Sequence, residues 1–260
     1  MKKSILSGLI AIAAILPFSA KANDTVNLSV GSEYTSGKYG AATSTDIKFY
    51  PVTLNYQQEQ RSFSLIVPYM QMTGPNNIVG AIGNQSMVKM VGVKNISQRT
   101  STGLGDIVVA AIQNIYTNQE AGLIADLTGS VKFGTADAAK GLGTGKNDYS
   151  VQGDFAKTFD RADMFGTLGW RKMGNPVGIN FKNPWFASFG GGYAVSQTMR
   201  LGIAYDFRQR VIDGTSNFAE VLAFINYSIS NQARIQMYLL KGYTNNSPDR
   251  GIGATLNWNY

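Results

Sequence analysis

From residue 25 to the end of the chain, apolar and polar side chains alternate with a period of two, in runs of ten residues or more. Val26, Leu28 and Val30, for example, alternate with Asn27, Ser29 and Gly31. That period gives a β-strand two chemically opposite faces. The runs exceed the ~5–6 residues usual in soluble sheets and reach the ~9–11 that a tilted strand needs to cross a bilayer. A soluble sandwich also alternates, so the discriminating features are strand length, the spacing of turns and the placement of aromatic residues.

The pattern predicts twelve strands, over 25–39, 43–56, 62–72, 104–116, 121–134, 147–159, 163–173, 184–196, 199–211, 217–229, 233–243 and 250–260. The even count is what single-chain bacterial barrels require. Connections alternate between short ones (57–61, 117–120, 160–162, 197–198, 230–232) and mostly longer ones (73–103, 134–146, 174–183). In outer-membrane barrels short turns mark the periplasmic rim and longer loops the extracellular rim, which would put both termini in the periplasm. The clearest faces are Leu123, Ala125, Leu127, Val131 and Phe133 against Asp126, Thr128, Ser130 and Lys132. Next come Trp185, Ala187, Phe189, Tyr193 and Val195 against Ser188, Gly190, Gly192 and Ser196. Tyr34, Tyr56, Tyr69, Tyr116, Phe133, Tyr149, Phe159, Trp170, Trp185, Tyr243 and Trp258 fall near strand ends, where interfacial girdles belong. The expected fold is an all-β, transmembrane, antiparallel up-and-down β-barrel.

The chain begins Met1-Lys2-Lys3, continues into an apolar run from Ile5 to Phe18 and then reads Ser19-Ala20-Lys21-Ala22, the order of a secretory signal peptide cleaved after Ala22. The apolar run is shorter than the ~20 residues of a spanning helix, and Pro17 interrupts it. Residues 1–22 are therefore expected to be a leader and 23–260 a single barrel domain in the outer membrane. Removing the leader takes away Lys2, Lys3 and Lys21 and no acid, leaving 20 bases against 16 acids, a net +4. These bases are scattered singly along the chain, which argues against a nucleic-acid partner. Cysteine and histidine are both absent, so neither a disulfide framework nor a Cys/His metal site can form, and no cofactor is expected. Gly141 to Lys146 departs from a phosphate-binding loop, because Lys140 stands where the first Gly belongs and Asn147 follows the lysine.

Ile252, Ala254, Leu256, Trp258 and Tyr260 alternate with Gly251, Gly253, Thr255, Asn257 and Asn259 up to the last residue. This ending, with Leu256, Trp258 and Tyr260 as its apolar positions, resembles the C-terminal assembly signal of bacterial outer-membrane proteins. The resemblance implies the barrel-assembly machinery as a partner during biogenesis. A second resemblance lies in Gly103-Leu104-Gly105-Asp106-Ile107, in Lys132-Phe133-Gly134-Thr135 and in Leu142-Gly143-Thr144-Gly145 followed by Asp148-Tyr149. Together these segments resemble the outer-membrane transporter family named for the MetA-pathway of phenol degradation. The likeness covers Gly103 to about Gly174 and departs from the family at Gly134-Thr135-Ala136, where Pro-Thr-Gly is expected. It implies a transporter barrel set in outer-membrane lipid.

The function expected first is a passive channel or transporter for small molecules, with aromatic or anionic solutes as candidates. Twelve strands lie between the eight of side-chain-filled barrels and the 16–18 of open porins. Parity assigns Lys48, Lys132, Arg171, Arg200, Arg208, Arg210 and Arg234 to the interior, with Asp46, Asp126, Asp154, Asp206 and Glu220, a mildly cationic lumen. Asp206, Arg208 and Arg210 are the expected constriction. The same residues could instead pair into an internal ladder that closes the bore, since buried charges are costly unless paired. Inward Leu222 and Phe224 suit an apolar or aromatic solute. The 73–103 loop, with Ile78, Val79, Ile82, Met87, Val88, Met90 and Val91, either folds inward as a plug or makes its own hairpin or short helix over the mouth. A hydrolase is disfavoured because no histidine base is present, and no catalytic residue is expected. The remaining alternative is a non-transporting surface barrel that presents loops to a partner.

Overall fold

The structure is a computed structural model, and it describes residues 24–82, 86–90 and 96–260. The leader expected over 1–22 lies outside the described residues. Fifteen strands are described: β1 (Thr25–Gly37), β2 (Thr45–Gln58), β3 (Arg61–Pro75), β4 (Ile78–Ile82), β5 (Ser86–Lys89), β6 (Gln98–Leu104), β7 (Val108–Asn118), β8 (Leu123–Lys132), β9 (Asp148–Thr158), β10 (Ala162–Lys172), β11 (Trp185–Ala194), β12 (Met199–Arg208), β13 (Phe218–Ser228), β14 (Ala233–Gly242) and β15 (Arg250–Asn259). All pairings are antiparallel. β15 joins β1, and β1, β2 and β3 continue the ring to β7 and on through β8 to β15, so the ring closes on itself, while β6 pairs with β3 along one edge only among the described residues. β6 and β7 pair with successive halves of β3 and form one interrupted stave. Among the described residues the barrel therefore has twelve staves, and closure satisfies strand edges that hydrocarbon would leave unpaired.

The alternation reads directly onto the wall. Leu168, Phe189, Ile203, Leu239 and Ile252 point outward and stand more than half exposed, an apolar belt far larger than a soluble monomer tolerates. Trp170 and Trp185 are register partners at the rim that carries the longer loops. Phe133, Tyr149 and Tyr243 stand near them, while Tyr116, Phe159, Tyr193, Tyr227 and Trp258 ring the rim that carries the chain ends. A backbone bond from Tyr260 N–H to the Val26 carbonyl (2.8 Å) seals the seam where the last strand meets the first.

Two differences from the sequence expectation are physical. The fourth stave starts six residues earlier than expected, at Gln98, and breaks over residues 105–107, where Asp106 turns inward. The 73–103 stretch contains a hairpin, β4–β5, and is shorter as a loop because β3 runs on to Pro75.

Candidate functional site: the bore

Inward positions follow from register. They are the odd residues of β1 and β10 and the even residues of β9, β11, β12, β13 and β14, because each of these sets pairs with itself around the ring. Four inward aromatic residues lie opposite a glycine: Phe165 with Gly190, Phe186 with Gly169, Phe224 with Gly202 and Tyr238 with Gly253. In each pair a Cβ on the glycine would collide with the ring, so the ring lies flat over its bare neighbour and the bore keeps its width.

The half of the bore nearest the long loops is filled. Ile47 and Phe49 of β2 and Met70 and Met72 of β3 point inward and pack with Ile78 and Met87 of the hairpin, Ala136 and Leu142 of the β8–β9 loop, and Tyr39. The hairpin is fastened by Gly80 N–H to the Gly141 carbonyl (3.0 Å) and by Lys89 Nζ to the Gly40 carbonyl (2.7 Å). Both readings of the loop thus hold in part: the segment makes its own hairpin, and that hairpin docks on apolar residues of the inner wall. Burial in this cluster pushes the Tyr39 hydroxyl far above its ordinary range, which keeps it protonated.

Below the plug lies a layer of charges. Lys132 Nζ stands 2.6 Å from Asp106 and 3.3 Å from Asp148, and also donates to the Lys146 carbonyl (3.0 Å). Asp106 accepts from Ala136 N–H (3.0 Å), and Asp148 from Gly174 N–H (2.9 Å). The three segments that carry the family resemblance meet in this clasp. Gly134 is held against the backbone of Gly145 and Lys146, too close for any Cβ. On the facing side of the same half of the bore, Arg171 lies over the Phe186 ring (5.4 Å to its centre) and Arg208 over Phe218 (4.5 Å). Asp206 stands opposite Glu220, with Ser188 on its other side, and the Tyr238 hydroxyl donates to Glu33. Two acids placed directly opposite repel one another, and the adjacent Arg208 offsets this. At the loop rim Lys182 pairs with exposed Asp213 (2.6 Å), and this hydrogen bond holds the Asp213 carboxyl below its usual range.

The half of the bore nearest the chain ends is open and contains a cavity of about 490 Å³. Phe165 and Phe224 line it, their ring centres 6.3 Å apart, together with Leu222, Arg200, Arg234 and Asp163. Arg200 pairs with Asp163.

The structure places Asp206, Arg208, Arg171 and Glu220 in the loop half of the bore, close to the strand ends that carry Trp170 and Trp185, Arg200 and Arg234 at its open end, and Lys132 in the clasp. Asp126 and Asp154 are inward register partners on β8 and β9. Asp126 accepts from Asn114 (2.7 Å) and Asp154 from Thr167 (2.6 Å), so both belong to a hydrogen-bonded stretch of the inner wall. Three expectations are corrected. Arg210 lies beyond the end of β12 and is about half exposed, with Asp213 at 4.0 Å. Lys48 and Asp46 face outward: Lys48 is the register partner of outward Tyr34, whose hydroxyl donates to Asp46 (3.1 Å). Parity failed on β2 because Ile47 and Phe49 are apolar for contact with the plug and not with lipid, and alternation cannot tell these two environments apart.

Glu33, Tyr238, Asp106, Asp148, Asp163, Arg99, Phe165 and Phe186 were missed. With them the lumen is no longer cationic. Among the described residues its bases are Arg99, Lys132, Arg171, Arg200, Arg208 and Arg234, and its acids are Glu33, Asp106, Asp126, Asp148, Asp154, Asp163, Asp206 and Glu220. The available signal was the set of aromatic residues opposite glycines, but it becomes visible only once register is known. Leu256 and Trp258 face outward, and the Trp258 and Tyr260 rings lie 6.3 Å apart.

No family model matches the chain, and no curated protein matches it in sequence. Among solved structures, the KdgM porin superposes with a TM-score of 0.55 at 8% identity, covering 89% of this chain and 98% of its own. A NanC porin structure superposes with a TM-score of 0.54 at 7% identity, covering 88% and 97%. At such identities the likeness is one of fold: this chain has the closed antiparallel barrel architecture of outer-membrane porins.

Proposed function

We propose that the protein is an outer-membrane channel for small molecules, exported by a leader cleaved after Ala22 and inserted with both termini in the periplasm. The observation that carries this reading is a closed barrel with an apolar outer belt whose polar interior keeps a cavity of about 490 Å³ at one end. A barrel needed only as a membrane anchor can fill its bore with side chains, as eight-stranded ones do. The fold shared with two porins agrees with this reading. The segments Gly103 to Asp106, Lys132 to Thr135 and Leu142 to Tyr149 favour kinship with the transporter family of the MetA-pathway of phenol degradation, and through it an aromatic solute. The outward Leu256, Trp258 and Tyr260 ending suits capture by the barrel-assembly machinery.

In this reading Arg208, Asp206, Glu220 and Arg171 form the constriction, and the docked β4–β5 hairpin is the gate on the extracellular side. The test is solute uptake by liposomes carrying the protein, comparing charged, sugar-like and aromatic solutes. Arg208→Ala is expected to change the rates for charged solutes by severalfold, and rates untouched for every solute would reject the constriction.

One observation favours a second reading, a non-transporting surface barrel. The plug and the buried charges fill the loop half of the bore, with Glu220 only 1% exposed and Lys132 only 5%. A planar bilayer that records no conductance, even after the hairpin is deleted, would favour that alternative.

A further inference from the structure

The open end of the bore is built unlike the rest of the lumen. Its floor is apolar: the Phe165 ring lies over Gly190 and the Phe224 ring over Gly202, neighbours at 6.3 Å and tilted by 45°, with Leu222 beside them. Above this floor stand Arg200 and Arg234. Arg200 is engaged by Asp163, whereas Arg234 makes no ion pair among the described residues. Two guanidinium groups against one carboxylate leave a single positive charge in excess, carried on a planar fork of donors that matches a carboxylate. The volume, about 490 Å³, lies within the range of small-molecule sites.

We propose that this vestibule is a binding site for a planar aromatic monocarboxylate, its ring stacked on Phe165 and Phe224 and its carboxylate held by Arg234. The assignment deepens the channel reading and rests on it, because it makes the vestibule the place where a solute pauses at the periplasmic end. Each part of the ligand answers a feature of the site. Ring faces prefer offset or tilted aromatic partners, which an aliphatic ring does not supply. One uncompensated charge suits a monoanion over a neutral solute or a phosphate dianion. The apolar floor disfavours a sugar, whose hydroxyls would lose hydrogen bonds to water there.

The experiment is an equilibrium titration of the full chain, folded in detergent, with benzoate, cyclohexanecarboxylate and benzyl alcohol, followed by calorimetry. Benzoate is expected to bind about three- to tenfold more tightly than cyclohexanecarboxylate, the worth of an aromatic contact. Arg234→Gln is expected to weaken benzoate about tenfold or more, the worth of a charge-assisted hydrogen bond, and to leave benzyl alcohol unchanged. Arg250→Gln, at the opposite rim, is expected to change nothing. The comparison among the three ligands uses the unaltered protein and so survives a variant that does not fold. Equal binding of benzoate and benzyl alcohol, or benzoate binding indifferent to Arg234→Gln in a folded protein, overturns the site. Conductance recorded on the same preparation separates the two ideas. Binding without conductance sinks the channel reading and leaves the site, whereas conductance without discriminating binding does the reverse.

Discussion

Removing the charge of Lys132 tests whether the clasp holds the barrel wall to its loops. In Lys132→Met the ammonium disappears from a site where its side chain is 5% exposed and those of Asp106 and Asp148 are 9% and 1% exposed. Two carboxylates then face each other with little water to screen them. Taking one partner from a buried ion pair costs about 3–5 kcal/mol, most of it the penalty of the charge left behind. Here both acids keep one backbone N–H, from Ala136 and from Gly174, and charged-group hydrogen bonds contribute about 1.5–3 kcal/mol each. The expected loss is therefore about 3 kcal/mol, the lower end of that range. The assay is urea unfolding of the protein in lipid vesicles, followed by fluorescence of Trp170, Trp185 and Trp258 near the two rims. Lys132→Met combined with Asp106→Asn and Asp148→Asn should recover most of the loss, since no charge then remains unpaired. Lys140→Met, which breaks the solvated pair with Asp137 (3.5 Å), should leave the midpoint unchanged. A loss below about 1 kcal/mol for Lys132→Met, or one equal to that of Lys140→Met, would refute the reasoning.

Three further outcomes are expected. Gly202→Ala drives a Cβ into the Phe224 ring and should cost about 1–3 kcal/mol by overpacking, while turning the ring into the vestibule and weakening benzoate; unchanged stability in the same unfolding assay would contradict the ring-over-glycine account. Ile78→Asp places a carboxylate in the fully buried apolar cluster and should release the hairpin, so planar-bilayer conductance should rise while the circular dichroism of the barrel is retained. If conductance stays at the level of the unaltered protein, the hairpin is not the gate. Because the Asp213 carboxyl sits below its usual range, its contact with Lys182 is present above the unfolded value of about 3.9 and is lost as pH falls through the folded value. Protection of residues 209–217 against hydrogen exchange, taken relative to the intrinsic rate at each pH, should therefore fall on acidification, and Asp213→Asn should remove that dependence.

Strand existence, strand number and the lipid-facing side of most staves were legible in the sequence, because a wall with hydrocarbon on one side and polar groups on the other imposes a period of two on every crossing segment. Ser188, Gly190 and Gly192 could be set against Trp185, Phe189 and Tyr193 without any coordinates. The period failed at Ile47 and Phe49, where an apolar side chain means a protein plug and not lipid. It also could not place Arg210, because alternation continues past the point where β12 stops. What only the tertiary structure decided was who meets whom. Asp106, Lys132 and Asp148 converge from three segments, Phe165 and Phe224 become neighbours across bare Gly190 and Gly202, and Arg234 is left without an ion-pair partner beside them among the described residues. These encounters depend on barrel closure and on the stagger between strands, long-range quantities that no local pattern along the chain encodes.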